Sequence, residues 1–280
     1  MYTKHYENYF DWYTRANEQK HTYHIVTPSP WPISGAAGAL SLTIGGVLYF
    51  HNFKLGGSMV LLGLLIILLV MYVWWRDTQR EGTWLGSHTL FVRNGLKIGI
   101  ILFILSEILF FSAFFWAFFH SSLAPTVQIG STWPPKGIIP LDPYGVPLLN
   151  TLILLLSGIT LTFAHHALRM NEVFYQIIGL WITIILAVEF TIYQGMEYIN
   201  APFSISDGVY GATFFMSTGF HGFHVIIGTI LLIVCSIRMF LGHFTPTHHV
   251  GYEIAIWYWH FVDGVWLFLF IVVYCWGFGF

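Results

Sequence analysis

The stretch KIGIILFILSEILFFSAFFWAFFH, Lys97 to His120, decides the fold. Between its ends Glu107 is the only charged side chain, and the rest is apolar or small. A run of roughly 20 apolar residues is the length of helix that crosses a bilayer. Glu107 then falls close to the midplane, where a charge costs about 2.5–3.5 kcal/mol on insertion scales. Such a group faces protein or a water pocket, or takes up a proton, because desolvation favours the neutral acid. Its helical neighbours three and four residues away are Phe103, Ile104, Phe110 and Phe111, so its own helix offers no basic partner. A structural role, a lipid-facing role and proton handling all stay open on these residues alone.

The rest of the chain repeats the pattern. Of 280 residues, 56% are hydrophobic, 19% aromatic and 9% charged, with a mean hydropathy of +0.68. Soluble domains carry roughly 25% charged residues, so this chain cannot clothe a water-facing surface. Transmembrane barrels read as alternating segments of about ten residues, whereas these runs are continuous and longer. The fold class is therefore an all-α polytopic membrane protein. Seven spans are expected, over Ile33–His51, Gly56–Trp75, Lys97–His120, Pro147–Leu168, Val173–Tyr198, Val209–Leu241 and Tyr252–Phe278. The segment Ser121–Val146 carries Pro125, Pro134, Pro135, Pro140 and Pro143 and is expected to be extended. No internal repeat supports an inverted-repeat transporter.

Lysine and arginine set the orientation. The head and the connections after spans two, four and six hold Lys4, Arg15, Lys20, Arg76, Arg80, Arg93, Lys97, Arg169 and Arg238, against Lys54 and Lys136 on the other side. The positive-inside rule places the N-terminus in the cytoplasm or mitochondrial matrix and the C-terminus across the membrane. The head has neither a signal-peptide pattern nor an Arg-rich transit pattern, which leads us to expect synthesis inside an organelle. Cys235 and Cys275 lie in apolar runs and read as packing residues.

The other embedded polar residues are Glu189, Glu197, His221, His224, His260 and Asp263. His221 and His224 share a helix face and could suit a metal, His260 and Asp263 share another and could bond each other, and the four together are candidates for one buried polar network. His165 and His166 are adjacent and point about 100° apart, a poor chelating pair. Glu197 and Asp207 are expected at the outer interface, where solvation removes the cost of their charge. Several classes are excluded by missing residues. The last span has no lysine for a retinal Schiff base, no helix pair carries the histidines of a di-haem cytochrome, and no binuclear copper set, Walker loop or serine elbow occurs. No catalytic residue and no metal site are expected in this chain.

Nine segments, in order, resemble subunit III of the aa3-type cytochrome c oxidases. They are YHIVTPSPWP (Tyr23–Pro32), WWRDTQREGT (Trp74–Thr83), ILFILSEILFFSAFFWAFFHSSLAPT (Ile101–Thr126), WPPKGI (Trp133–Ile138), PLLNT (Pro147–Thr151), AHHAL (Ala164–Leu168), APFSISDGVYGATFF (Ala201–Phe215), TGFHGFHVIIGT (Thr218–Thr229) and WYWHFVDGVWLFLF (Trp257–Phe270). The resemblance implies an N-terminal extension over 1–32, a two-helix bundle over 33–75, a connecting loop over 76–96 and a five-helix bundle over 97–280, with a V-shaped lipid-holding cleft. It implies a non-catalytic subunit of the enzyme that passes electrons from cytochrome c to O2, one that stabilises subunit I and supports oxygen access and proton uptake. Haem a, haem a3, CuA and CuB would sit in subunits I and II, with accessory subunits alongside, no nucleic acid and no cofactor on this chain. Structural phospholipids (cardiolipin, phosphatidylethanolamine or phosphatidylglycerol) would contact Trp75, Glu81, His88 and Arg238, and Glu107 would shape the lipid pocket. Glu189 departs from the family's pattern. The head and the charge distribution lead us to expect the mitochondrial inner membrane, with the N-terminus in the matrix and the C-terminus in the intermembrane space, ahead of the bacterial cytoplasmic membrane as the alternative. The alternatives are subunit III of a related quinol oxidase and an independent proton-coupled transporter.

Overall fold

The computed structural model describes residues 21–278. Residues 1–20 of the expected N-terminal extension, with Lys4, Arg15 and Lys20, lie outside the described residues. Within them seven helices are long and apolar enough to cross a membrane. They are α1 (Trp31–Phe50), α2 (Gly56–Thr83), α3 (Leu90–Leu123), α4 (Val146–Arg169), α5 (Val173–Asn200), α6 (Gly208–Phe240) and α7 (Val250–Leu269). The last span continues through a π-helical turn, Phe270–Cys275, and a 3-10 turn, Trp276–Phe278.

Local signals explain the boundaries. Proline opens α1 and α4, where its missing N–H has no helical partner to lose. Asn171 after α4 and Gly242 after α6 adopt φ of 62° and 70°, the left-handed conformation that closes a helix. Two expected boundaries need correction. α2 continues from Trp75 to Thr83 and α3 begins at Leu90, so the connecting loop expected over 76–96 shrinks to residues 84–89. Hydropathy marks where the bilayer ends, not where the helix ends. Beyond Trp75 the chain is polar yet still helical, with Asp77 held 2.8 Å from Arg76 and 3.9 Å from Arg80. Trp31 Nε1 donates to Asp77 at 2.8 Å and ties α1 to this extension.

The described chain divides into two compact units, one ending at Leu96 and the other beginning at Lys97. In the first, α1 and α2 pack backbone against backbone through glycines. A Cβ on Gly45 would lie 2.6 Å from the Val60 nitrogen, and one on Gly63 would lie 2.5 Å from the Leu42 nitrogen. Small residues permit such an approach in lipid, where dispersion and close packing replace the hydrophobic drive.

The second unit has a continuous core that includes Phe111, Phe118, Leu161, Leu180, Phe190, Tyr210, Phe214, Leu232, Trp259 and Trp266. α4 packs on α5 and α7, while α6 lies against α5 and α7. Two buried indoles are satisfied across helices: Trp259 Nε1 donates to Ser157 Oγ at 2.9 Å and Trp266 Nε1 to Thr151 Oγ1 at 3.0 Å. α3 reaches its neighbours through rings, with Phe110 edge-on to Phe220 and Phe115 edge-on to Phe268. Large apolar side chains remain exposed along the spans, as a lipid-facing surface requires.

Candidate functional site

Glu107 is half-buried on α3, and its partner comes from α6. His224 Nε2 stands 3.0 Å from Glu107 Oε2, and His224 Nδ1 stands 2.7 Å from the Phe220 carbonyl. A carbonyl can only accept, so Nδ1 carries a hydrogen. The contact with Glu107 then needs one further proton, either on the carboxyl group facing a neutral imidazole or on an imidazolium facing a carboxylate. Both arrangements are neutral overall, which removes the cost of an isolated charge in the bilayer. Rings enclose the pair: Phe111 meets His224 edge-on, and Tyr258 stacks on it at 6.3 Å between centroids.

His221, His224, His260 and Asp263 do not form the single network considered from sequence. Among the described residues they fall into three separate groups. His221 is buried and meets the α7 backbone, with Nε2 3.2 Å from the Val262 carbonyl. His224, three residues on, turns instead to α3 and Glu107. His260 and Asp263 face α4, with Nδ1 3.5 Å from Oδ2, while His260 Nε2 lies 3.4 Å from Thr162 Oγ1. A shared helix face gave His221 and His224 the same general direction, but the neighbouring helices divided them. Asp263 is 8% exposed, and its Oδ1 has no hydrogen-bond partner.

The positions compared with phospholipid contacts fall in both units. In the first, Trp75 is 51% exposed, and Glu81 and His88 are half-buried. His24 joins them, its Nε2 4.0 Å from Glu81 Oε2 and its ring edge-on to His88. In the second, Arg238 lies near the C-terminal end of α6, its guanidinium carbon 4.5 Å from the centre of the Phe244 ring. Its Nε is buried without a hydrogen-bond partner. Nearby, burial and then the charge of Arg238 hold the His243 imidazole below its ordinary value.

Glu197 departs from expectation: it is buried rather than solvated, at 6% exposed. Tyr274 Oη donates to its Oε1 at 2.6 Å, Gln194 Nε2 lies 3.3 Å from the same oxygen, and Asn150 extends the chain to Gln194. Asp207 stays exposed and accepts from the Ser204 N–H at 2.7 Å. Glu189 is half-buried in α5, with no hydrogen bond or ion pair to the described residues. His165, set aside on its spacing from His166, instead meets His249, whose Nε2 is 3.2 Å from its own. The two are 84 residues apart, so only the fold could bring them together.

Comparison with known proteins adds the family context. The model for the family cytochrome c oxidase subunit III matches residues 21–278. A Marchantia polymorpha protein named cytochrome c oxidase subunit 3 is 63% identical over 259 residues, covering 92% of this chain and 98% of the relative. Relatives of the same name from Triticum aestivum and Arabidopsis thaliana are 62% and 61% identical over the same length and the same shares.

Proposed function

The chain belongs to the cytochrome c oxidase subunit III family, and from that premise we propose how its embedded residues serve the complex. It is a subunit of cytochrome c oxidase, assembles with other oxidase subunits and carries no catalytic centre of its own. The relatives' names support the cytochrome c branch and give the quinol-oxidase and transporter alternatives no support.

In this reading the chain stabilises subunit I, and haem a, haem a3, CuA and CuB sit in subunits I and II. It retains phospholipid, supports oxygen access and proton uptake, and passes no electrons itself. The observation that carries the reading is the match over residues 21–278 combined with how Glu107 is held: hydrogen-bonded to His224 inside aromatic walls rather than set in a chain of titratable groups. The eukaryotic relatives support a mitochondrial inner-membrane location, and the lysine and arginine distribution supports an N-terminus in the matrix and a C-terminus in the intermembrane space.

Phospholipid contacts are assigned to Trp75, Glu81 and His88 in the first unit and, separately, to Arg238 in the second. Trp75 supplies an interfacial ring, and Glu81 and His88 can bond an ethanolamine or glycerol head. Arg238 is half-buried near the C-terminal end of α6, and a guanidinium can grip a phosphodiester through two parallel bonds. The test is lipid analysis of purified oxidase carrying Arg238→Ala. The variant is expected to lose a tightly held phospholipid, with Arg238→Lys retaining part of it. Unchanged retention in Arg238→Ala would remove the assignment.

A further inference from the structure

We propose that His165, His249 and Glu253 form a binding site for a divalent transition-metal ion of the zinc type, where α4 meets the start of α7. His165 lies near the C-terminal end of α4, His249 directly precedes α7, and Glu253 is in the first turn of α7. One ligand atom from each comes within 4.8 Å of the others.

The spacing fits a tetrahedral ion. Zinc binds nitrogen and carboxylate oxygen at about 2.0–2.2 Å, so two ligands on a tetrahedron lie ~3.3–3.5 Å apart. His165 Nε2 and His249 Nε2 are 3.2 Å apart, and His249 Nε2 and Glu253 Oε1 are 3.6 Å apart. Rotation of the Glu253 carboxylate closes the remaining edge, and a fourth position is left for water.

The surroundings aim the ligands. His249 Nδ1 lies 2.9 Å from the Thr245 carbonyl, which can only accept, so that nitrogen carries the hydrogen and Nε2 keeps its lone pair. A metal-bound imidazole is oriented in this way by a bond from its other nitrogen. Lys97, on α3, pairs with Glu253 Oε2, which holds that cation on one oxygen and leaves Oε1 turned to the imidazoles. Without metal, the two Nε2 atoms share a hydrogen donated by His165. Metal binding moves that hydrogen to His165 Nδ1, so the imidazole stays neutral and its lone pair reaches the ion. Two imidazoles and one carboxylate favour zinc over magnesium or calcium, which take oxygen ligands.

The test uses the assembled oxidase, stripped with a chelator, crystallised and soaked in Zn2+. Anomalous scattering at the zinc edge is expected to give a peak between the three side chains. Zinc retained after desalting is expected to fall by one equivalent in both His249→Ala and Glu253→Gln. If the histidine variant fails to assemble, the wild-type map and the glutamine variant decide. No peak at this position, or zinc only at other positions, would overturn the proposal. Equal retention by wild type and Glu253→Gln would do the same and leave a hydrogen-bonded histidine pair beside an ion pair.

Discussion

At the scale of single residues, the cost of a carboxylate in the bilayer is met by one well-placed imidazole. Glu107 and His224 share a proton across 3.0 Å, and the Phe220 carbonyl fixes which histidine nitrogen faces the acid. Glutamine at position 107 can donate its amide to the same nitrogen. Glu107→Gln should therefore leave oxygen consumption and proton pumping within about twofold of wild type, measured in proteoliposomes. Loss of pumping in that variant would place Glu107 in a proton path. Glu107→Leu, in contrast, leaves His224 Nε2 unpaired, and the complex should lose about 1–3 kcal/mol of stability in thermal or denaturant unfolding. The misplaced charge was legible in the sequence, because a lone carboxylate in an apolar run announces itself. Its partner was not, because His224 lies 117 residues away and shows on its own helix only a shared face with His221.

At the scale of elements, two devices carry predictions. The α1–α2 hairpin depends on glycine wherever a Cβ would meet backbone, and Gly45 is such a point. Ser41 Oγ donates to the Met59 carbonyl at 3.0 Å across the same contact. A Ser41→Cys, Met59→Cys pair should crosslink readily, and adding Gly45→Leu should cut the yield severalfold by forcing the helices apart. An unchanged yield would show that the hairpin tolerates the side chain. The second device is the π-helical turn of the last span, which holds Tyr274 where its hydroxyl reaches buried Glu197. Tyr274→Phe leaves that carboxyl with fewer donors and should cost about 1–3 kcal/mol, read as a lowered melting temperature of the purified complex. A melting temperature equal to that of wild type would argue against this. Hydropathy located all seven helices, but it stopped α2 at Trp75 because the polar turn that follows leaves the bilayer without leaving the helix. The π-turn gave no sign of itself, since FIVVYC is uniformly apolar apart from the tyrosine hydroxyl and shows no change of period.

At the scale of the whole molecule, several of the buried polar groups among the described residues bond one helix to another. Trp259 with Ser157, Trp266 with Thr151, Tyr274 with Glu197 and His224 with Glu107 are each bonds between helices. That pattern suits the structural role proposed above for the chain. The most direct measurement is purification through a tag on this chain in mild detergent, with a reduced-minus-oxidised spectrum and identification of the co-purifying subunits. Haem a absorption with subunits I and II present, and no proton flux from the chain reconstituted alone, is the predicted result. A spectrally silent preparation that drives proton flux by itself would contradict the account.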